Sequence, residues 1–172
     1  MKCPEYTYLN LGYDLAKSKS GLSTPAANSA SADPFDYVIQ VGAYRTSNDA
    51  DAQKAKVRRA LRMVNTQPGD RVLEIGCGWG ALAESATTEF AAHITGVTLS
   101  TEQLAFAQAR MQAHGVQQRA DLRLQDYRDI NDGPYDAICS IEMIEAVGQE
   151  YWPTYFETVS RLLKPGGRAC IQ

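Results

Sequence analysis

Three glycines at alternate positions constrain this chain more than any other feature. Gly76, Gly78 and Gly80 close the run Arg71-Val72-Leu73-Glu74-Ile75-Gly76-Cys77-Gly78-Trp79-Gly80. Val72, Leu73 and Ile75 form a short apolar stretch after Pro68-Gly69-Asp70, the pattern of a buried β-strand. A helix-prone run begins at Ala81. A strand, a glycine-rich turn and a helix start make a nucleotide-binding turn. Glycine is required there because the backbone must turn tightly and admit a ligand with no Cβ in the way. The free N–H groups at the helix start are then expected to bond a polar or anionic ligand group. Taken alone, the pattern also fits a tight βα turn of any α/β domain.

Two neighbours narrow the ligand. Glu74 stands just before the first glycine, where a dinucleotide would place phosphate near a repelling carboxylate, whereas a cationic ligand is attracted. Trp79 stands between the second and third glycines, where a flat ring can cover the site. S-adenosylmethionine, a cationic nucleoside, fits this turn better than NAD. At the end of the next strand Thr98 occupies the place where a ribose-binding acid is expected, which further disfavours an NAD-type oxidoreductase.

The remaining pattern predicts alternating elements. Helices are expected over Asp49–Val64, Ala81–Phe90, Thr101–His114 and about Glu150–Leu163, and strands over His93–Leu99, Ala120–Leu124, Tyr135–Ile141 and Arg168–Gln172. Val57, Ala60, Leu61 and Val64 recur at helical spacing, with Lys and Arg on the other face. Ser100 is an N-cap, with Gln103 at the capping-box position. Strands alternating with helices imply an α/β fold with a mostly parallel sheet, helices on both faces and right-handed crossovers. Residues 37–172 are expected to form this domain and 1–36 an arm or linker, since Lys17 to Pro34 is rich in Ser, Ala, Lys and Pro without a period.

Composition excludes several classes. The chain has 172 residues, 44% of them hydrophobic and 22% charged, as in one ordinary globular domain. A net charge of −3 gives no general attraction to nucleic acid. No apolar run approaches the ~20 residues of a membrane span, and Met1–Tyr6 lacks the apolar core of a signal peptide. The four cysteines have no C-x-x-C spacing and read as reduced, mostly buried thiols of a cytoplasmic protein with no metal site. His93 and His114 read as structural. Lys54, Lys56, Arg58, Arg59 and Arg62 cluster in one segment; they form either a solvated helix face or a patch for anionic lipid head groups at a membrane periphery.

Ligands of such sheets bind beyond the carboxyl ends of the strands. Thr98 and Gln103 are candidates for the ribose, Gln103 being equally a capping residue. Asp126 can accept from an adenine amino group and Tyr127 can stack on the ring, or both belong to an ordinary surface loop. After the fourth strand, Glu142 and Glu145 sit in an otherwise apolar stretch. Buried acids are costly unless paired or ligand-bound, so at least one is expected to be functional, and spacing does not say which.

Several motifs together carry a family resemblance. Leu73-Glu74-Ile75-Gly76-Cys77-Gly78-Trp79-Gly80 and Leu163-Lys164-Pro165-Gly166-Gly167 are shared by many S-adenosylmethionine methyltransferases. Gly96-Val97-Thr98-Leu99-Ser100-x-x-Gln103, Leu124-Gln125-Asp126-Tyr127-Arg128-Asp129, Ser140-Ile141-Glu142-Met143-Ile144-Glu145-Ala146-Val147-Gly148 and Tyr151-Trp152-Pro153-x-Tyr155-Phe156 are more specific. Over about residues 49–172 the chain resembles a cyclopropane-fatty-acyl-phospholipid synthase. The resemblance implies a Rossmann-like methyltransferase fold. It also implies transfer of the sulfonium methyl to a cis double bond of a phospholipid acyl chain, with ring closure after a proton passes to a bound bicarbonate. By resemblance Glu145 helps hold the bicarbonate, and Gly76, Gly78, Thr98, Leu99, Gln103, Tyr127 and Ile141 line the cofactor pocket.

The chain also departs from the family. Gly42 stands where a cysteine touching the bicarbonate is expected, and Gln172 where a histidine is common. Family members continue beyond the fifth strand, so a truncated sheet is expected, with that strand as an exposed edge open to a partner, with weak or no cofactor binding and with little turnover. Alternatives are methyl transfer to another lipid or a small amine without ring closure, and a non-catalytic fragment.

Overall fold

The computed structural model describes residues 36–39 and 49–172, with side chains from Gln53 onward. Cys3 and the run Val41-Gly42-Ala43-Tyr44 lie outside them, as does the arm up to Phe35. The described elements are β1 (Asp36–Ile39), α1 (Asp49–Met63), β2 (Arg71–Ile75), α2 (Ala81–Thr88), β3 (His93–Thr98), α3 (Thr101–Ala113), β4 (Ala120–Leu124), β5 (Tyr135–Ser140), α4 (Trp152–Leu162) and β6 (Leu163–Ile171). The strands form one parallel sheet in the order β1-β6-β5-β2-β3-β4.

Each face of the sheet carries its own core, which is why β2 reads as a continuous apolar run rather than an alternating one. On one face α1, α2 and α3 bring Val57, Leu61, Leu82 and Met111 onto Val72, Ala137, Cys139 and Cys170. On the other, Tyr155, Val159 and Leu162 of α4 cover Leu73, Ile75, Ile138 and Ile171. Among the described residues no helix is long and apolar enough to cross a membrane.

Several expectations are corrected. Among the described residues the sheet has six strands, because Asp36-Tyr37-Val38-Ile39 pairs with β6 from Asp36↔Arg168 to Ile39↔Ile171. The last strand is therefore flanked by β5 and β1 and is no exposed edge, and Asp36 belongs to the sheet rather than to the arm. β6 begins at Leu163, not Arg168: opposite β5 the register jumps from Tyr135↔Leu163 to Ala137↔Arg168, so Lys164-Pro165-Gly166-Gly167 bulges out of the ladder. α2 ends at Thr88, before Phe90, and α4 starts at Trp152 after a short 3₁₀ turn over Gln149–Tyr151. The basic segment is not one solvated face, since Lys56 is buried and Arg58 pairs with Glu89.

The three described cysteines are free and buried. Burial pushes the Cys77 thiol up to about 12, with Glu74 adding to the effect, and Cys170 up to about 11. They are protonated fillers rather than nucleophiles.

Candidate functional site

From β2 the chain moves outward to β3 and β4 on one side, and β5 and β6 later fill the other. The crossovers part between β2 and β5, leaving a crevice beyond their carboxyl ends. A cavity of about 650 Å³ lies there. Glu74, Gly76, Gly78 and Trp79 line it from the β2 side, Ile141 and Glu142 from the β5 side, and Lys56 and Val57 from α1.

The three glycines do different work. All have left-handed φ: 83° at Gly76, 50° at Gly78 and 79° at Gly80. The amides of Gly76 and Cys77 both donate to the Val97 carbonyl, at 3.0 and 2.9 Å, which locks the turn to β3. A Cβ on Gly76 would press on Met143 Sδ at 3.2 Å, and one on Gly78 would meet nothing within 4 Å. Gly80 is a packing position: its Cβ would lie 2.9 Å from Ala107 Cβ, where α2 starts against α3, and it is absent from the cavity wall. Gly96, which its strand pattern does not mark as special, is a second packing position: a Cβ there would lie 2.9 Å from Cys77 Cβ and 2.7 Å from Leu122 Cδ2.

Glu74 is the buried acid of the site, 4% exposed. The Ala83 amide bonds to it, so one helix-start donor expected for a ligand is used by this side chain. Its Oε2 has no hydrogen-bond partner. Burial raises its pKa well above the usual carboxylate range, and the Ala83 bond only partly offsets this. Trp79 is 53% exposed, its ring edge-on to Phe106 with centroids 5.4 Å apart.

The other candidates lie along the ends of β3 and β4, away from the cavity wall. Thr98 Oγ1 donates to Gln103 Oε1 at 2.9 Å, and the Ser100 amide donates to Thr98 Oγ1 at 3.2 Å. Ser100 caps α3 as expected, accepting from the Gln103 amide. The Gln103 side chain turns to Thr98, so the capping box is left incomplete. Leu99 is 71% exposed. Asp126 accepts from the backbone amide and side chain of Arg128, whose guanidinium holds the carboxyl below its ordinary range. Tyr127 is buried, edge-on to Tyr155 at 5.4 Å, so its ring is committed to the core rather than to a surface loop.

The β5 loop inverts one expectation. Neither of its carboxylates is buried: Glu142 and Glu145 are both exposed, while Ile144 and Val147 turn inward. Trp152 Nε1 donates to the Val147 carbonyl at 3.1 Å and fixes the loop. Glu145 projects from the 3₁₀ turn Ile144–Ala146 and is not part of the cavity wall. Glu142 is at the rim with a left-handed φ of 56°, its amide donating to the Gln172 carbonyl at 2.8 Å.

Comparison with known proteins places this geometry. The family model described as mycolic acid cyclopropane synthetase matches residues 40–172. The chain belongs to this family. Over 123 residues it is 48% identical to the tuberculostearic acid methyltransferase UfaA1 of Mycobacterium tuberculosis, covering 72% of this chain and 28% of that protein. It is 44% identical to the cyclopropane-fatty-acyl-phospholipid synthase of Escherichia coli K12, covering 69% and 31%. The structure of mycolic acid cyclopropane synthase CmaA1 complexed with SAH and CTAB matches with a TM-score of 0.62 at 32% identity, over 66% of this chain and 40% of that one. The cyclopropane synthase MmaA2 of Mycobacterium tuberculosis matches with a TM-score of 0.65 at 31% identity, over 70% and 43%. The Rossmann-like methyltransferase fold follows. This family member matches about 30% of the length of the two curated relatives.

Proposed function

We propose that the chain binds S-adenosylmethionine and takes part in transferring a one-carbon unit to the cis double bond of an unsaturated phospholipid acyl chain, giving a cyclopropane ring. The observation that carries this reading is the cavity at the β2/β5 crevice. It combines a glycine turn open at Gly78 with a buried acid whose Oε2 is unpartnered. That oxygen can accept from the cofactor's cationic end without displacing a protein donor. S-adenosylmethionine supplies the electrophilic methyl when bound. Gly76 and Gly78 admit it, Glu74 complements its charge, and Trp79 and Ile141 shield it from water. In this reading the cofactor extends from the cavity along the ends of β3 and β4, where Thr98 with Gln103 would meet the ribose, and Asp126 and Leu99 the adenine. Glu145 is assigned to hold a bicarbonate that takes the proton lost on ring closure. Peripheral contact with a bilayer belongs to this reading, since the acyl chain must reach the crevice.

A second reading is methyl transfer without ring closure, favoured by the relative at 48% identity, which is named a methyltransferase. One experiment separates the two. The protein is incubated with methyl-labelled S-adenosylmethionine and vesicles of a cis-unsaturated phospholipid, and the extracted acyl chains are read by NMR. Labelled ring protons are the expected result. A labelled methyl branch supports the second reading, and an unlabelled lipid contradicts both.

A further inference from the structure

A buried cation in the cavity wall has no role in the account above. Lys56 is 7% exposed, and its Nζ is bonded to Glu142 Oε1 across 86 residues of chain. We propose that Lys56 is a cofactor-anchoring residue that binds the carboxylate of the aminoacyl end of S-adenosylmethionine; this rests on the cofactor reading above.

Lys56 stands on the core-facing side of α1, one turn before the buried Ala60, and burying an ammonium there is costly unless its three donors are satisfied. Among the described bonds one acceptor, Glu142 Oε1, is given to it. Glu142 itself is 60% exposed on its side chain and remains hydrated. The ammonium thus faces the cavity with donor capacity to spare. The other cations on the wall are less suited: Lys54 is exposed, and Arg110 is bonded to Glu84 and to the Trp79 carbonyl. The position of the pair is enforced rather than incidental. Glu142 holds a left-handed φ that a side-chain-bearing residue rarely adopts, and its amide is fixed to Gln172. The same cavity carries a buried acid with a bare oxygen, Glu74. One buried acid and one buried base on a single wall match a zwitterion, with Glu74 complementing the ammonium and sulfonium and Lys56 the carboxylate.

The test compares two ligands by calorimetric titration: S-adenosylhomocysteine, which keeps the aminoacyl end, and methylthioadenosine, which lacks it. The parent is expected to prefer S-adenosylhomocysteine. Lys56→Met should weaken S-adenosylhomocysteine about 10- to 100-fold, the range of a hydrogen bond to a charged group. It should leave methylthioadenosine within about twofold, and Lys56→Arg should retain most of the preference. Equal loss for both ligands in Lys56→Met, or loss for neither, overturns the proposal. A parent that binds both ligands equally also overturns it while leaving the cofactor reading standing. A folded parent that binds neither removes the cofactor reading and the proposal with it.

Discussion

Replacing Glu74 by glutamine is expected to weaken S-adenosylmethionine binding about 10- to 100-fold and to remove its pH dependence. Glutamine keeps the shape and an acceptor for the Ala83 amide, so the start of α2 is preserved; only the ionisable oxygen is lost. In the free protein burial raises the Glu74 pKa well above 4.5. The neutral acid is therefore favoured in the fold, and its contribution to stability is complete below the unfolded value near 4.5 and is lost as pH rises through the folded value. A neutral glutamine suffers no such loss, so the variant should gain stability relative to the parent as pH rises. Binding has the opposite preference. A cationic ligand favours the carboxylate, so the parent should release a proton on binding and its affinity should increase with pH. Titrations in two buffers of different ionisation heat read that proton directly. Equal, pH-independent affinities in parent and variant would mean that Glu74 serves only to cap α2.

Glu145→Gln is expected to cut turnover on unsaturated phospholipid about 10²- to 10⁴-fold, the usual contribution of positioned acid–base chemistry, while leaving cofactor affinity unchanged. The structure separates the two effects. Glu145 is exposed on the turn after β5, outside the cavity wall, while Ile144 and the bond from Trp152 to Val147 hold that turn in place. An exposed carboxylate with no part in the core should change stability by no more than about 0.5 kcal/mol. Thermal melting would check that point, and product formation from vesicles would check the rate. Full turnover in the variant would remove Glu145 from the chemistry.

What was legible in the sequence was mostly local. Ala120–Leu124 is a strand with the bounds read from its pattern, and Ser100 caps α3 because capping is decided within four residues. The glycine turn was legible for the same reason, since positive φ is written into residue type. What escaped depends on residues far apart in the chain. β1 is four residues long and exists by pairing with β6, more than 130 positions away. Lys56 lies in a basic run whose composition predicts solvent, yet it is buried on the core-facing side of α1 and paired with Glu142, 86 positions away. The acids were misplaced for a related reason. Apolar neighbours around Glu142 and Glu145 promised burial, but in the loop around the 3₁₀ turn Ile144–Ala146 it is Ile144 and Val147 that face inward and the acids that face outward. Glu74, inside a five-residue strand covered on both faces, is the acid that is buried. Gln103 illustrates competition between local rules: its position suits a capping box, and the Thr98 hydroxyl takes its side chain instead.

Calorimetric titration of S-adenosylmethionine into the purified chain, beside Gly78→Asp, tests most directly whether the β2 turn is a working cofactor site. The substitution has room, since a Cβ at Gly78 meets nothing within 4 Å, and aspartate tolerates a left-handed φ better than most residues. The variant should therefore stay folded while its carboxylate obstructs the ligand's approach. Binding in the micromolar range is expected for the parent, and its loss in the variant. No heat from a parent chain with a folded circular dichroism spectrum, or equal binding in both proteins, would contradict it.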